Sequence, residues 1–175
     1  MRNAIEMQAP SARVRVMVDA NVLFAGILWP RWPYEVLQHG LRGDFKLVLT
    51  PFVIEQVRRT VSTRFTSELT QFEAFLSQLD FEEAPDPSDA DVEQHLGLVR
   101  DPTDGPVAWA AINARVDYLV SEDKDLTSSD ETTAKLRERL KVLLSGTFLR
   151  QVMGWTSADL EQVRGRTWQA LEPDA

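Results

Sequence analysis

RVRVMVDANVL, residues 13–23, is the part of the sequence that most strongly indicates the fold. Polar and apolar residues alternate at its start and give way to an apolar run at residues 16–18, a pattern that predicts a strand entering a hydrophobic core. The strand ends at Asp19, and residues 19–29 predict a helix that stops before the proline-containing loop at residues 29–33. This order indicates the first half of a β-α-β unit.

The alternation of strands and helices continues along the chain. Further strands are predicted at residues 45–49, 116–120 and 141–144, and residues 81–87 are predicted to form a loop. Helices are predicted at 33–38, from Thr50, at 67–79, from Ser88, and at 105–112, 130–140, 147–153 and 157–171. Short apolar strands separated by helices predict an α/β fold, a three-layer α/β/α sandwich around a central, mainly parallel sheet of four to five strands.

The length of 175 residues is typical of one domain with an appendage. We expect a disordered lead-in at residues 1–12, the α/β domain at residues 13–154 and a C-terminal helical extension at residues 155–175. The chain has no cysteine, which excludes disulfides, thiol nucleophiles, iron–sulfur clusters and thiolate zinc sites. Any metal site must therefore be built from oxygen ligands and two histidines.

The net charge of −8 and the pI near 4.8 are unlike those of most nucleic-acid-binding proteins. An acidic surface repels phosphate groups, although a bound cation reverses this effect locally. The longest apolar run, residues 22–29, is too short to span a bilayer, and residues 1–11 lack the apolar stretch of a signal peptide. These features predict a cytoplasmic protein with no membrane partner.

Three acidic residues are expected at the same edge of the predicted sheet. Asp19 follows the first strand, Asp123 follows the strand at residues 116–120, and Asp104 precedes a buried helix. Each one alone is also explained as a helix cap or a residue of a solvated turn. Three carboxylates that converge at one edge instead favour a hard cation such as Mg²⁺, because without it they would repel one another.

Glu55 is a fourth candidate, in the first turn of the helix that starts at Thr50. Its position on the helical wheel, away from the apolar stripe, fits a solvated residue equally well. What favours a role in the site is that this helix begins at the same edge of the sheet. Asp101 competes with Asp104 as the ligand at the helix start, and Asp125 is a possible outer ligand.

An acidic motif recurs in VMVDANVL (residues 16–23), DPTDGPVA (residues 101–108) and DYLVSEDKDL (residues 117–126). In this order the three segments resemble PIN-domain ribonucleases. VMVDANVL at residues 16–23 resembles the family's opening D-x-N, and DPTDGPVA at residues 101–108 resembles its acid at a helix start. DYLVSEDKDL at residues 117–126 is similar to the strand and T-G-D-x-D-L loop that follow. GILWP at residues 26–30 and the Thr50-Pro51 helix resemble the branch assigned to toxins of toxin–antitoxin pairs.

The resemblance implies a ribonuclease that depends on Mg²⁺ or Mn²⁺, with RNA as substrate and an antitoxin protein as partner. A homodimer is expected separately, with the C-terminal helix at residues 157–171 either serving dimerisation or packing on the domain. The implied catalytic and metal-binding acids are Asp19, Glu55, Asp104 and Asp123, with Asn21 and Ser121 as orienting residues and Asp101 and Asp125 as outer ligands. The family is similar in hydrolysing phosphodiester bonds to a 3′-hydroxyl and a 5′-phosphate. Two positions depart from the family pattern: Gly105 replaces a second acid or amide, and Glu122 stands where glycine is usual.

Three arginines are candidate RNA contacts: Arg31, Arg58 and Arg59. Trp32 is a candidate stacking surface beside Arg31.

Two other functions remain as alternatives. A phosphatase with an aspartyl nucleophile is the nearest rival enzyme, although it usually has D-x-D where this chain has Asn21. A catalytically weak or inactive PIN-like interaction module is the other alternative, because Glu122 is a bulky acid in the metal-binding loop.

Overall fold

The computed structural model describes residues 14–172, so the predicted disordered lead-in at residues 1–12 lies outside the described residues. The sheet consists of β1 (Arg15–Val18), β2 (Lys46–Leu49), β3 (Phe81–Glu83), β4 (Tyr118–Val120) and β5 (Val142–Leu143). The α-helices are α1 (Ala20–Leu28), α2 (Trp32–Leu41), α3 (Pro51–Arg64), α4 (Leu69–Gln78), α5 (Asp89–Gln94), α6 (Gly105–Ala114), α7 (Lys124–Thr127), α8 (Ala134–Arg137), α9 (Ser145–Gln151) and α10 (Ser157–Val163).

The five strands form one parallel sheet in the order β3-β2-β1-β4-β5. Strand β1 lies at its centre, where Met17 is paired with Val48 on one side and Leu119 on the other. Consecutive residues of β1 point to opposite faces of the sheet, yet Val16, Met17 and Val18 are all fully buried. Helices therefore cover both faces, which confirms the predicted α/β/α sandwich.

Residues 81–83 correct one prediction, because they form the edge strand β3 where a loop was predicted. Phe81 pairs with Leu47 and Glu83 with Leu49 of β2. The sequence FEE has no apolar alternation, and only one neighbour holds the strand. Its best anchor is distant in sequence: the guanidinium of Arg15 in β1 donates two hydrogen bonds to the Glu82 carboxylate.

The helical prediction for the C-terminus was also too long. Helix α10 ends at Val163, and a separate 3₁₀ turn at Trp168–Leu171 replaces the predicted continuation to residue 171. Gly165 lies between them with a φ of 67°, a left-handed conformation that breaks the helix. The helix predicted at residues 130–140 is likewise a 3₁₀ turn, Glu131–Thr133, followed by the short α8. Over residues 14–172, none of the helices combines the length and apolar character that crossing a bilayer requires.

The sheet has its topological switch point between β1 and β4. From β1 the chain moves outward through β2 to β3, and it then returns to add β4 and β5 on the other side. In open parallel sheets the carboxyl ends of the strands at such a point form a crevice in which ligands bind. Asp19 directly follows β1 and Ser121 directly follows β4, so both residues lie at this crevice.

Candidate metal centre

Asp19 is held in place from both of its carboxylate oxygens. It is the N-cap of α1, and its Oδ1 accepts a hydrogen bond from the backbone N–H of Ala20 at 2.8 Å. Its Oδ2 accepts one from the hydroxyl of Ser121 at 2.9 Å. The residue is only 9% exposed, and this burial raises the pKa of Asp19, with the charge of Asp123 adding to the effect. A fixed carboxylate of this kind is suited to binding a cation.

Ser121 connects the ends of β1 and β4. Its fully buried hydroxyl donates to Asp19 and accepts a hydrogen bond from the backbone N–H of Asp123 at 3.0 Å. Asp123 in turn is the N-cap of α7, where its Oδ1 accepts from the backbone N–H of Asp125 at 2.8 Å. The Ser121 hydroxyl thus bridges the carboxylate of Asp19 and the backbone of Asp123. A residue that orients these two acids would make contacts of this kind.

Asn21 positions the same loop from the opposite side. Its side-chain oxygen accepts a hydrogen bond from the backbone N–H of Glu122 at 3.1 Å. This bond ties the first turn of α1 to the loop that carries Asp123. Asn21 therefore contacts the backbone of this loop, and its role as an orienting residue stays a prediction.

Asp104 lies at the centre of a group of acids that we call the acidic cluster: Asp19, Asp101, Asp104, Asp123 and Asp125. It ends the 3₁₀ turn Pro102–Asp104 and is 9% exposed. Its Oδ2 is buried and has no hydrogen-bond donor. Burial, followed by the charge of Asp123, raises the pKa of Asp104 to about 7, with smaller contributions from Asp19 and Asp101. A buried carboxylate oxygen without a donor is an arrangement that a cation would stabilise.

Asp101 and Asp125 extend the cluster on the other side of Asp104. One carboxylate oxygen from each of these three residues lies within 4.8 Å of the other two. Asp125 also accepts a hydrogen bond from the guanidinium of Arg100 at 3.1 Å, and the same guanidinium donates to Asp130 at 2.6 Å. Arg100 was not predicted as a site residue from the sequence. Its position directly before Asp101 is the feature that could have indicated a contact with the acids.

Glu55 is not brought into contact with the other predicted ligands. It lies in the first half of α3, where its Oε2 accepts a hydrogen bond from Arg58 at 2.9 Å. Arg58 also donates two hydrogen bonds to Glu73 of α4. These residues line a cleft with Phe81 of β3, on the side of the sheet away from β4. The role of Glu55 as a metal ligand therefore stays a prediction.

The two departures from the family pattern have structural explanations. Glu122 does not point into the acidic cluster, because its Oε1 accepts a hydrogen bond from the backbone N–H of Ser145 at the start of α9, at 2.8 Å. Gly105 packs tightly against α5, and a Cβ atom at this position would lie 2.9 Å from Cγ1 of Val92. Packing at position 105 therefore excludes the larger side chain that the family pattern would place there.

The predicted RNA-contacting arginines differ in their availability. Arg58 is engaged by Glu55 and Glu73, whose carboxylates raise its pKa further, so phosphate would have to displace them. Arg59 lies on the same helix and is exposed. Arg31 is exposed at the start of α2 and donates one hydrogen bond to the backbone oxygen of Arg166 at 3.2 Å. Its remaining donors are available to a ligand.

Comparison with known proteins agrees with this geometry. Residues 15–125, well over half of the chain, match the PIN domain family. The chain belongs to the PIN domain family. The matched region begins with β1 and ends at Asp125, so it contains all of the predicted acidic residues. Members of this family are typically nucleases, and they usually use divalent metal ions.

Solved structures match this chain as well. The crystal structure of PAE2754 from Pyrobaculum aerophilum superposes with a TM-score of 0.55, at 17% sequence identity, over 81% of this chain and 91% of that one. At this identity the likeness concerns the fold alone. No curated protein sequence matches the chain significantly. The chemistry must therefore be argued from this PIN domain's own residues.

Proposed function

We propose that this PIN domain is a ribonuclease that hydrolyses phosphodiester bonds with Mg²⁺ or Mn²⁺ held by its acidic cluster. The observation that carries the proposal is the buried Oδ2 of Asp104. This oxygen has no hydrogen-bond donor, and the charged groups near it are other carboxylates. Such a group is costly in the folded protein unless a cation compensates its charge. The cluster lies at the switch point of the sheet, where this fold class binds ligands.

The residues present fit a hard divalent cation. Asp19, Asp104 and Asp123 supply only oxygen atoms, the ligand type that Mg²⁺ and Mn²⁺ prefer. Asp101 and Asp125 each bring a carboxylate oxygen to within 4.8 Å of one from Asp104, and we assign both as outer ligands. When bound, the ion would polarise the scissile phosphate and lower the pKa of a water molecule for in-line attack. Glu55 would join this set only if its side chain left Arg58.

The chain's own residues have distinct tasks in this proposal. Asp19 is kept immobile by its two hydrogen bonds, so it presents a fixed oxygen rather than a mobile one. Ser121 keeps Asp123 at a constant distance from Asp19, and Asn21 holds the loop between them. Asp19 is assigned to the cation rather than to a phosphatase nucleophile because Asn21 stands where such phosphatases usually have the second acid of D-x-D.

RNA as the substrate is consistent with the charge distribution only if the cation takes part. The protein carries a net charge of −8, which repels a phosphate backbone. A divalent ion in the acidic cluster makes the potential at the scissile phosphate favourable. Arg31 and Arg59 are the proposed contacts to flanking phosphates, with Arg58 available only after it leaves its carboxylate partners.

The regulatory part of the proposal rests on the resemblance of residues 26–30 and of the Thr50-Pro51 helix to the toxin branch of the family. We expect a cytoplasmic toxin that an antitoxin neutralises and that forms a homodimer. Co-expression with the adjacent reading frame, followed by purification, should yield a complex, and light scattering should give twice the mass of the chain. Absence of both would contradict this part without affecting the nuclease assignment.

The nuclease assignment is tested with single-stranded RNA, Mn²⁺ and matched variants. We expect cleavage that stops on addition of EDTA and that leaves 5′-phosphate ends. Asp104→Asn should lower kcat/KM by about 100-fold or more, since ion-based stabilisation of a phosphoryl transition state is worth several kcal/mol. Asp80→Asn is the control, because Asp80 is 91% exposed and remote from the cluster. Equal rates for both variants would overturn the assignment, and a phosphoenzyme on Asp19 would favour the phosphatase.

A further inference from the structure

A cavity of about 300 Å³ is lined by none of the proposed metal-binding acids. It is formed where the end of α1, the start of α2, the loop after β4 and the turn after α10 meet. Its lining combines two indoles, two guanidinium groups and one carboxylate: Trp29, Trp32, Arg31, Arg164 and Glu122. Ala25 of α1 forms part of its floor.

The cavity and the acidic cluster share two elements. Glu122 lines the cavity and is the residue immediately before Asp123 in the loop after β4. Along α1, Ala25 lies six residues after Asp19, which corresponds to about 9 Å at a rise of 1.5 Å per residue. An RNA strand whose scissile phosphate lies at the acids would therefore pass the cavity within a few nucleotides.

Trp29 is the aromatic wall of the cavity that is available for stacking, whereas the ring of Trp32 is covered by Arg164 and Gly146 and forms a fixed wall. The indole N–H of Trp32 donates a hydrogen bond to the backbone oxygen of Leu160 at 2.9 Å, and the guanidinium of Arg164 lies 5.1 Å from the ring centroid. Trp29 is 39% exposed, an unusual position for an indole in a folded domain. Bases of single-stranded RNA stack on such aromatic and guanidinium planes.

Arg31 and Arg164 place two positive charges at this cavity on a protein whose net charge is −8. Arg164 pairs with exposed Glu161, an interaction that a phosphate group can replace at little cost. Arg31 uses one donor for the backbone of Arg166 and keeps the others. Guanidinium groups next to indoles are suited to a nucleotide, which offers a phosphate and a π-face together.

Glu122 adds a directional polar group to the cavity. Its Oε1 is fixed by the backbone N–H of Ser145, and within residues 14–172 no group donates a hydrogen bond to its Oε2. A carboxylate oxygen accepts hydrogen bonds only, so it repels phosphate and favours the N–H edge of a base. Oε1 keeps a second acceptor site beside its bond to Ser145, so the two carboxylate oxygens together can accept from two neighbouring N–H groups. Guanine is the one RNA base with two neighbouring N–H donors on its Watson–Crick edge, since adenine, cytosine and uracil each present a single donor group there.

We propose that this cavity binds a guanine base of the RNA, a few nucleotides from the scissile phosphate, and so determines where the enzyme cuts. This inference rests on the proposed ribonuclease function. The base stacks on Trp29, its Watson–Crick edge donates to Glu122, and Arg31 and Arg164 contact the flanking phosphates. The cavity thereby accounts for a glutamate at a position where the family usually has glycine.

The first test measures cleavage preference with a pool of RNA oligomers of random sequence in the presence of Mn²⁺. Wild-type protein should enrich guanine at one fixed position relative to the cut, and Glu122→Gln should reduce this preference about 10-fold, as expected for loss of one direct base contact. Trp29→Ala should weaken cleavage of all sequences about 10-fold with the guanine preference retained. Glu138→Gln, an exposed charge change elsewhere in the fold, should alter neither.

The second test measures binding, so that it does not depend on cleavage. Quenching of tryptophan fluorescence by 2′-O-methyl hexamers should show about 10-fold tighter binding of a guanine-containing hexamer than of oligo-uridine. Trp29→Phe should remove most of the quenching. If guanine binding is found without cleavage, the ribonuclease proposal fails and the cavity assignment stands. Cleavage without any base preference, or a preference unchanged in Glu122→Gln, would overturn the cavity assignment alone.

Discussion

Asp104 is a residue at which stability and the proposed activity oppose each other. Burial and the nearby charge of Asp123 raise its pKa to about 7, whereas an aspartate in an unfolded chain titrates near 4. Between these two pH values the folded protein binds the proton more tightly than the unfolded chain. The free energy of unfolding that depends on this group therefore falls as the pH rises from about 4 to about 7.

This opposition predicts that Asp104→Asn stabilises the metal-free protein while it abolishes activity. The amide keeps the shape of the side chain and removes the repulsion, so the free energy of unfolding at pH 8 in EDTA should rise by on the order of 1–3 kcal/mol. Below pH 4 the difference should shrink, because the wild-type carboxyl is then neutral in both states. Urea denaturation at both pH values measures the effect. A variant less stable than wild type at pH 8 would contradict the prediction.

At the scale of elements, the strands that are buried could be predicted from the sequence, whereas the partly exposed edge strand could not. Strand β1 and helix α1 were predictable from residues 13–23, because a strand buried on both faces must be apolar throughout. Strand β3 was not, because its three residues are half-buried or exposed and are held by β2 and by Arg15, which is 67 residues away from Glu82 in the chain. Long-range pairing of this kind leaves no local pattern.

The acidic site was predictable to the same extent. The positions of Asp19 and Asp123 follow from parallel topology, since residues that end neighbouring strands must meet at one edge. The direction of the Glu55 side chain does not follow from the topology, because its position on α3 permits contact either with the acidic cluster or with Arg58. Arg58 and Glu73 decide this direction by a hydrogen-bonded network between α3 and α4, and no spacing rule indicates such a network.

Helix α9 depends on a distant residue for its N-terminal cap, which gives a prediction at this scale. Leu144 precedes the helix and provides no side-chain acceptor, and Glu122 accepts from the N–H of Ser145 instead. Glu122→Ala should lower the free energy of unfolding by about 1 kcal/mol, the usual value of a lost cap. Glu122→Gln retains an acceptor oxygen and should be nearly neutral. Thermal unfolding of both variants decides the matter, and equal melting temperatures for Glu122→Ala and wild type would refute the cap.

At the scale of the whole molecule, the residues after α9 are bound firmly to α1 and α2. The indole N–H of Trp168 donates to the backbone oxygen of Leu28 at 2.9 Å, and that of Trp155 donates to Nε2 of His39 at 3.0 Å. Arg166 forms an ion pair with Glu35 at 2.6 Å, in which both side chains are at most 16% exposed. The predicted C-terminal extension, as far as residue 172, thus packs on the domain, and Arg164 and Gly165 close one side of the cavity that also contains Trp29 and Glu122.

The ion pair of Arg166 should therefore contribute to global stability. Arg166→Ala leaves Glu35 without its partner and removes a hydrogen bond to the backbone oxygen of Pro30, so we expect a loss of about 1–3 kcal/mol. Lys46→Ala breaks an exposed pair with Asp80 and should cost less than about 1 kcal/mol. Chemical denaturation compares the two variants. Similar losses of free energy of unfolding in both variants would show that burial does not make the Arg166–Glu35 pair more stabilising than an exposed pair.

The strongest whole-molecule consequence of the acidic cluster is that divalent ions should stabilise the fold. Binding to the native state alone, at an ion concentration about 100 times the dissociation constant, adds about 2.7 kcal/mol, which corresponds to an increase in Tm of about 5–10 °C for a chain of this size. Mn²⁺ should therefore raise the Tm of wild type and of Asp80→Asn after EDTA treatment and dialysis. Asp104→Asn should begin with the higher Tm in EDTA and gain little from Mn²⁺, because it lacks both the repulsion and the ligand that relieves it. Equal gains in all three proteins would place the ion elsewhere, whereas a gain confined to proteins with Asp104 would connect the metal to the centre of the acidic cluster.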